Sequence, residues 1–270
     1  MKVFMADKIA IFTNYVFDNV SVFNSPTVWL AVIGYSIQLY CDFAGYSMMA
    51  IGVAKAIGYE IPDNFNFPYL SRNIADFWRR WHITLSNWIR DYVYISMGGN
   101  RRGDSRTYVN IISSMTLCGL WHGAAWTFVF WGLFHGMALV FYRIWSRGRS
   151  RAEDRTYGNS SWASRFFGRF LTLLTVGVGW VFFRSDGFNS AIGALSKMFY
   201  PSPGVSWYHP FVLLVLLCFA FIHFTELFQW GGVHRLPQSA WYTPALIITM
   251  IGLCVVFPPK KFAPFIYSQF

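Results

Sequence analysis

The chain has 270 residues, of which 55% are hydrophobic and 21% aromatic; only 13% are charged, and the formal net charge is +10. A soluble domain carries roughly 25% charged residues, so this composition, with a mean hydropathy of +0.36, excludes an ordinary water-soluble globule. The basic residues fall in short loops between apolar runs, with no basic helix or RNA-binding pattern, which argues against nucleic acid and for positive loops held on the cytoplasmic side of a membrane.

Length alone would allow two soluble domains, but the apolar runs argue for one membrane-embedded unit over residues 1–270. Residues Met1 to Asn24 carry interspersed charges and no signal-peptide pattern. The first apolar run, Pro26 to Ala54, contains one charge, Asp42, and small residues at Gly34, Ala44, Gly45 and Gly52. It is too long for one span of ~20 residues, so a break is expected near Asp42–Gly45, where glycine tolerates the backbone required.

Next comes Asn64 to Arg102, with apolar residues at Ile74, Phe77, Trp78, Trp81, Leu85, Trp88, Ile89 and Tyr92. Steps of three and four predict one apolar stripe on an interfacial or cavity-lining helix. Arg79, Ser86 and Arg90 lie on another face, and Asp76 is placed to pair with Arg72 and Arg80. Gly98-Gly99-Asn100 should end the segment in a turn.

The second run, Thr107 to Tyr142, contains no Asp, Glu, Lys or Arg. As one helix it would be ~54 Å long, so a bend is expected at Gly119 and Gly123, which flank His122. The loop from Arg143 to Arg169 holds Arg143, Arg147, Arg149, Arg151, Arg155, Arg165 and Arg169 against Glu153 and Asp154. This basic loop, 143–169, is placed in the cytoplasm. Arg101, Arg102 and Arg106 suggest the same side, making the His122 region a hairpin that enters the membrane from within. Three further runs follow, Phe170 to Phe183, Phe211 to Trp230 and Trp241 to Pro258.

Ionisable residues inside such runs are rare and commonly functional. His122 is the leading candidate: a sheltered imidazole stays neutral, as a general base must be, and can take a proton from an acceptor hydroxyl. A helix-packing histidine bonded to a backbone carbonyl is the competing role. His82 lies beside the apolar stripe and could orient substrate or assist proton transfer; spacing alone does not bring it to His122. Arg79, Arg80 and Arg90 suit a phosphate-bearing donor or lipid headgroups equally well. Asp42 is either functional or a cap at a broken helix. His135 could face another helix, and His223 and Glu226 could touch at i, i+3. His209 and His234 carry no signal. Cys41, Cys118, Cys218 and Cys254 lack metal-ligand or disulfide spacing, so no metal is expected. No GxSxG elbow, P-loop or HExxH occurs.

At these residues the chain resembles the membrane-bound O-acyltransferase family, in its alginate O-acetyltransferase branch. The stretches that carry the likeness are Tyr40-Cys-Asp-Phe-Ala-Gly-Tyr-Ser47, Asn66-Phe-Pro-Tyr-Leu-Ser71, Phe77-Trp-Arg-Arg-Trp-His82 and Trp88-Ile-Arg-Asp-Tyr92. Gly98-Gly-Asn-Arg101, Leu120-Trp-His-Gly-Ala-Ala-Trp126, Trp180-Val-Phe-Phe-Arg184 and the closing Phe265-Ile-Tyr also fit. Met48-Met49-Ala50 departs from the family's Asp-Met-Ala, and Ile95-Ser-Met-Gly-Gly99 from its Ile-Pro-Leu-Gly-Gly. Family members carry further membrane helices before this point, so the chain is expected to be a carboxy-terminal portion.

The resemblance implies an all-α polytopic membrane fold, with spanning and re-entrant or interfacial helices around a central tunnel. It makes His122 catalytic and His82 the second active-site residue. Trp78, Arg79, Arg80, Trp81, Arg90, Asp91, Trp121 and Asp42 become candidate substrate-binding residues. The implied donor is acetyl-CoA, with no bound cofactor. The implied acceptor is an exported polysaccharide, reached through periplasmic acetyltransferase partners from a multi-pass protein of the bacterial inner membrane, among membrane lipids and without nucleic acid. An acyl-histidine intermediate would fit the same residues. Two other classes stay open: a proton-coupled transporter using Asp42, His122 and Glu226, and an inactive membrane scaffold.

Overall fold

A computed structural model describes residues 1–147 and 162–227, together with positions 244, 248, 249 and 252. The chain divides into two compact units, Met1–Val53 with Pro203–Phe270, and Ala54–Ser202. Among the described residues every regular element is helical, beside one isolated bridge between Phe23 and Val205. This is the expected all-α class. Among the described residues, three helices are long and apolar enough to cross a membrane: Ser25–Ala56, Trp126–Arg147 and Trp162–Arg184.

In the first unit, α1 (Asp7–Asp18) buries Ile9, Phe12, Thr13, Val16 and Phe17, a three-and-four spacing that the scattered charges of this segment disguise. Helix α2 runs unbroken from Ser25 to Ala56. The break expected near Asp42–Gly45 is absent, because Asp42 is satisfied without one. Lys2 Nζ lies 2.6 Å from Asp42 Oδ1 and 2.9 Å from Asp7 Oδ1. At 32 residues α2 is about 48 Å long, more than the ~30 Å thickness of a hydrocarbon core. The Trp207 indole closes the end of this unit against Phe12 and Phe23, at centroid distances of 4.9 and 6.0 Å.

In the second unit the predicted single helix of the Asn64–Arg102 segment is divided. Helix α3 (Ile74–Arg80) is capped by Asn73, whose side-chain oxygen accepts from the Asp76 N–H at 2.8 Å. Helix α4 (Ile83–Trp88) follows, then a π-helical turn at Ile89–Tyr94. His82 separates α3 from α4 with φ +44°, a left-handed backbone uncommon outside glycine. The glycine turn is found as expected, with Gly98 at φ +104° and Gly99 at φ +54°. Asn110 pins it by donating to the carbonyls of Met97 and Gly99 at 3.2 and 2.9 Å.

Helices α5 (Asp104–Trp121) and α6 (Trp126–Arg147) form the expected hairpin. Its bend occupies His122–Ala125, where Gly123 has φ +153°. The two helices cross on bare backbone. A Cβ on Gly119 would collide with the Phe128 carbonyl, one on Gly132 with the Met115 carbonyl, and one on Gly136 would lie 2.9 Å from Ile112 Cα. Such small-residue seams drive helix association where both surroundings are apolar.

Helix α7 (Trp162–Arg184) is longer than the run Phe170 to Phe183 because it begins within the basic segment. Arg169 stays helical there, its Nε donating to the Leu70 carbonyl at 3.3 Å. Helix α8 (Phe188–Phe199) buries Ala191, Ala194 and Met198. In the first unit again, α9 (Pro210–Leu227) covers most of the fourth run. The remainder of that run, most of the fifth, Phe265-Ile-Tyr, Cys254, His234, the Glu226 side chain and the centre of the basic loop lie outside the described residues.

Candidate active site

The second unit brings His82 and His122 to one place. Trp121 contacts both, its ring centroid 6.2 Å from that of His82 and 5.0 Å from that of His122. The two imidazoles interact electrostatically. His122 caps the carboxyl end of α5, its N–H donating to the Gly119 carbonyl at 3.0 Å. Its side chain turns inward and is 2% exposed. Trp131 stands edge-on to the ring at 5.2 Å and 90°, and Phe183 at 5.1 Å and 78°. Gly123 permits this bend, since a Cβ there would lie 2.8 Å from the Phe128 ring.

His82 is buried through the break between α3 and α4. The loop before α3 folds over that break: the Asn66 N–H donates to the Arg80 carbonyl and the Ile83 N–H to the Asn64 carbonyl, both at 3.0 Å. Asn64 Oδ1 accepts from Thr84 Oγ1 at 2.9 Å and from the Thr84 N–H at 3.3 Å, and lies 3.1 Å from His82 Nδ1. An amide oxygen can only accept, so Nδ1 carries the proton that it donates to Asn64 and Nε2 keeps the basic lone pair. Burial pushes the His82 imidazole down to about 4, so it is neutral in ordinary conditions.

The other candidates divide by environment. Trp81 is a core residue, stacked on Phe77 at 5.6 Å and 5.0 Å from Trp180. Arg80 Nε lies 3.0 Å from Asp76 Oδ1, one of the two pairings expected of that carboxylate, and the exposed Arg79 is 3.6 Å from the same oxygen. Arg90 donates through Nε and one terminal nitrogen to both carboxylate oxygens of Asp91, at 2.7 and 3.1 Å. That exposed pair holds the Asp91 carboxyl below its usual range. Asp42 belongs to the first unit, in its ion pair with Lys2.

A cavity of about 200 Å³ opens in the same unit, with Trp78, Ile89, Arg90, Tyr94, Ile111 and Met115 in its wall and neither His82 nor His122 among its lining residues. Ser86 and Ser114 also line it, but their hydroxyls donate to the carbonyls of Trp81 and Asn110 at 3.1 and 2.7 Å. The surface offered is therefore largely apolar. Trp78 connects the cavity to the buried rings, 5.7 Å from Trp131.

Sequence reasoning missed Asn64, Trp131 and Phe183. Asn64 lies 18 residues before the histidine it contacts, and no periodicity signals that return. Trp131 read as an ordinary member of an apolar run, and Phe183 stood only within the Trp180–Arg184 motif. Trp180 stood only in a motif, yet it joins the same ring cluster, stacked with Trp131 at 5.9 Å.

Residues 1–178 match the sequence model of the membrane-bound O-acyltransferase family. The chain is 45% identical over 201 residues to a probable alginate O-acetylase of Azotobacter vinelandii, covering 73% of this chain and 38% of that protein. It is 40% identical over 197 residues to a peptidoglycan O-acetyltransferase of Helicobacter pylori, covering 73% of this chain and 36% of the relative. With a teichoic acid D-alanyltransferase of Streptococcus thermophilus it shares 34% identity over 176 residues, 60% of this chain and 42% of the relative. The chain thus spans about two-fifths of the length of the curated relatives it matches.

Proposed function

The chain belongs to the membrane-bound O-acyltransferase family, and from that premise we propose that it transfers an acetyl group to hydroxyls of an exported polysaccharide, with His122 as general base. The observation that carries this reading is the pair of imidazoles that both contact Trp121, one of them 2% exposed at a helix bend.

In the proposed step His122 takes the hydroxyl proton as the alcohol oxygen bonds to the carbonyl carbon of an acetyl thioester. Collapse of the tetrahedral intermediate breaks the carbon–sulfur bond, and the leaving thiolate recovers the proton from the imidazolium. Acetyl-CoA on the cytoplasmic side is the proposed donor. His82, with Nδ1 committed to Asn64, offers the Nε2 lone pair to the acceptor hydroxyl, which donates to it. Trp78, Trp121 and the Arg90–Asp91 pair border the approach, while Arg79 and Arg80 supply positive charge near it. Aromatic rings around His122 exclude water and protect the thioester from hydrolysis. The acceptor class follows from the relatives, which are named for acyl transfer to alginate, peptidoglycan and teichoic acid. We place the protein in the bacterial inner membrane as a multi-pass chain, handing acetyl groups to periplasmic acetyltransferase partners.

The test is His122→Ala at the chromosomal locus. Polysaccharide acetylation is expected to fall by at least ~10³-fold, within the range lost when a general base is removed, while the amount of protein in the membrane stays normal. Wild-type acetylation in that strain would rule out the assignment.

A further inference from the structure

The mechanism leaves a third histidine unused. His135 lies on α6 one turn after Trp131 and is 0% exposed. Its ring meets Trp131 at 5.0 Å, Trp78 at 5.3 Å and 89°, and Trp180 at 6.4 Å. Among the described residues neither ring nitrogen has a hydrogen-bond partner, nor do the indole nitrogens of Trp78, Trp131 and Trp180. Leaving buried polar atoms unpaired is costly, and a phenylalanine would fill the same space without that cost.

The seat is cut for this ring. On the facing turn of α7 stands Gly179, and a Cβ there would lie 2.5 Å from His135 Nε2. An imidazole offers what a phenyl ring lacks, polarised N–H and nitrogen edges that fix its orientation against surrounding indole faces. Those indoles lead to the reacting centre, because Trp131 is the ring that meets His122 edge-on at 90°.

We propose that His135 is a positioning residue for the acyl-transfer centre: seated on the bare backbone of Gly179, it fixes the rotation of Trp131, and Trp131 fixes the direction of the His122 ring. The same imidazole holds Trp78 at the cavity wall, so the cavity and His122 share one rigid ring array. This rests on the reading of His122 as the base.

The experiment places His135→Phe, Gly179→Ala, and Gly179→Ala combined with His135→Ala in the native gene, with His135→Ala alone and His122→Ala as references. Acetyl transfer is measured per molecule in native membranes, with kcat and KM separated. His135→Phe and Gly179→Ala are expected to lower kcat on the order of ten- to a hundredfold, the cost of a small misplacement of a catalytic group, with KM within about twofold. Adding Gly179→Ala to His135→Ala should cost nothing further, since the atom the new methyl strikes is gone. Full kcat in both His135→Phe and Gly179→Ala beside an inactive His122→Ala overturns this inference alone. Losses confined to membrane abundance, with activity per molecule unchanged, make His135 a packing residue and overturn it equally. An active His122→Ala overturns both this inference and the reading beneath it.

Discussion

Two stretches look alike in the sequence: α2 and the α5–α6 run are both overlong, apolar, and glycine-bearing around a candidate functional side chain, Asp42 in one and His122 in the other. Yet α2 runs for 32 residues straight through Asp42 and Gly45, whereas the other run turns back at His122. The difference teaches that glycine permits a break without causing one. In α2 a Cβ at Gly45 would meet nothing closer than 3.4 Å, so no helix crowds that backbone, and the Asp42 carboxylate already has Lys2. In the hairpin, Gly119, Gly132 and Gly136 let two helices touch backbone to backbone. The packing gained repays the hydrogen bonds interrupted at the bend.

The strongest way to break the comparison is Gly132→Val. Its Cβ would drive into the Met115 carbonyl, which belongs to helix backbone and has nowhere to move. Overpacking of this kind typically costs 1–3 kcal/mol and sometimes more, so the expected outcome is loss of most folded protein from the membrane, read by immunoblot and by thermal melting in detergent. A variant with wild-type abundance and melting temperature would mean that the seam does not hold the hairpin.

A smaller effect is expected at the His82 break, and it tests the tautomer assigned above. Removing the Asn64 side chain by Asn64→Ala should lower kcat by roughly ten- to a hundredfold, as when a general acid–base group loses its orientation, with abundance near normal. The pH dependence has a definite sign. The folded state holds His82 neutral down to about 4, while the unfolded ring binds a proton near ~6.5. Stability on this account is therefore whole above that value and drains away as pH falls from about 6.5 to about 4. Asn64→Asp puts a carboxylate beside the imidazole, raises its pKa and narrows that window. Unfolding midpoints between pH 4 and 7 measure it, and an identical slope in wild type and Asn64→Asp would refute the assignment.

How much of this was legible in the sequence depended on range. The hairpin at His122 could be read because its glycines, its length and its missing charges are all local. The glycine turn at Gly98-Gly99 was legible for the same reason, and so was the all-α class. The break at His82 was not, since the stripe from Ile74 to Tyr92 keeps perfect helical spacing through it. What wins there is tertiary: the Asn64–Asn66 loop takes the Ile83 N–H and offers its own N–H to the Arg80 carbonyl, holding His82 in a left-handed backbone. The unbroken α2 was misjudged because the partner of Asp42 is Lys2, 40 positions away and outside the apolar run. Motif likeness singled out both histidines, but only the fold brings both against Trp121 and sets Trp131 and Phe183 around the second.

The mildest perturbation sharpens the comparison from the other side. Gly52 lies inside α2, and a Cβ there would find nothing within 4 Å. If glycine has no task at this position, Gly52→Ala should stabilise the protein by about 0.5–1 kcal/mol, the helix-propensity gain with no contact to offset it. Melting in detergent should rise by one to a few degrees, roughly as such an increment does in a protein of this size, with acetyl transfer unchanged. A lower melting temperature would mean that the bare backbone at Gly52 is itself a contact surface, and that α2 meets a neighbour there as closely as α5 meets α6. The two runs would then differ in where their partners come from, and glycine would be marking helix contacts in both.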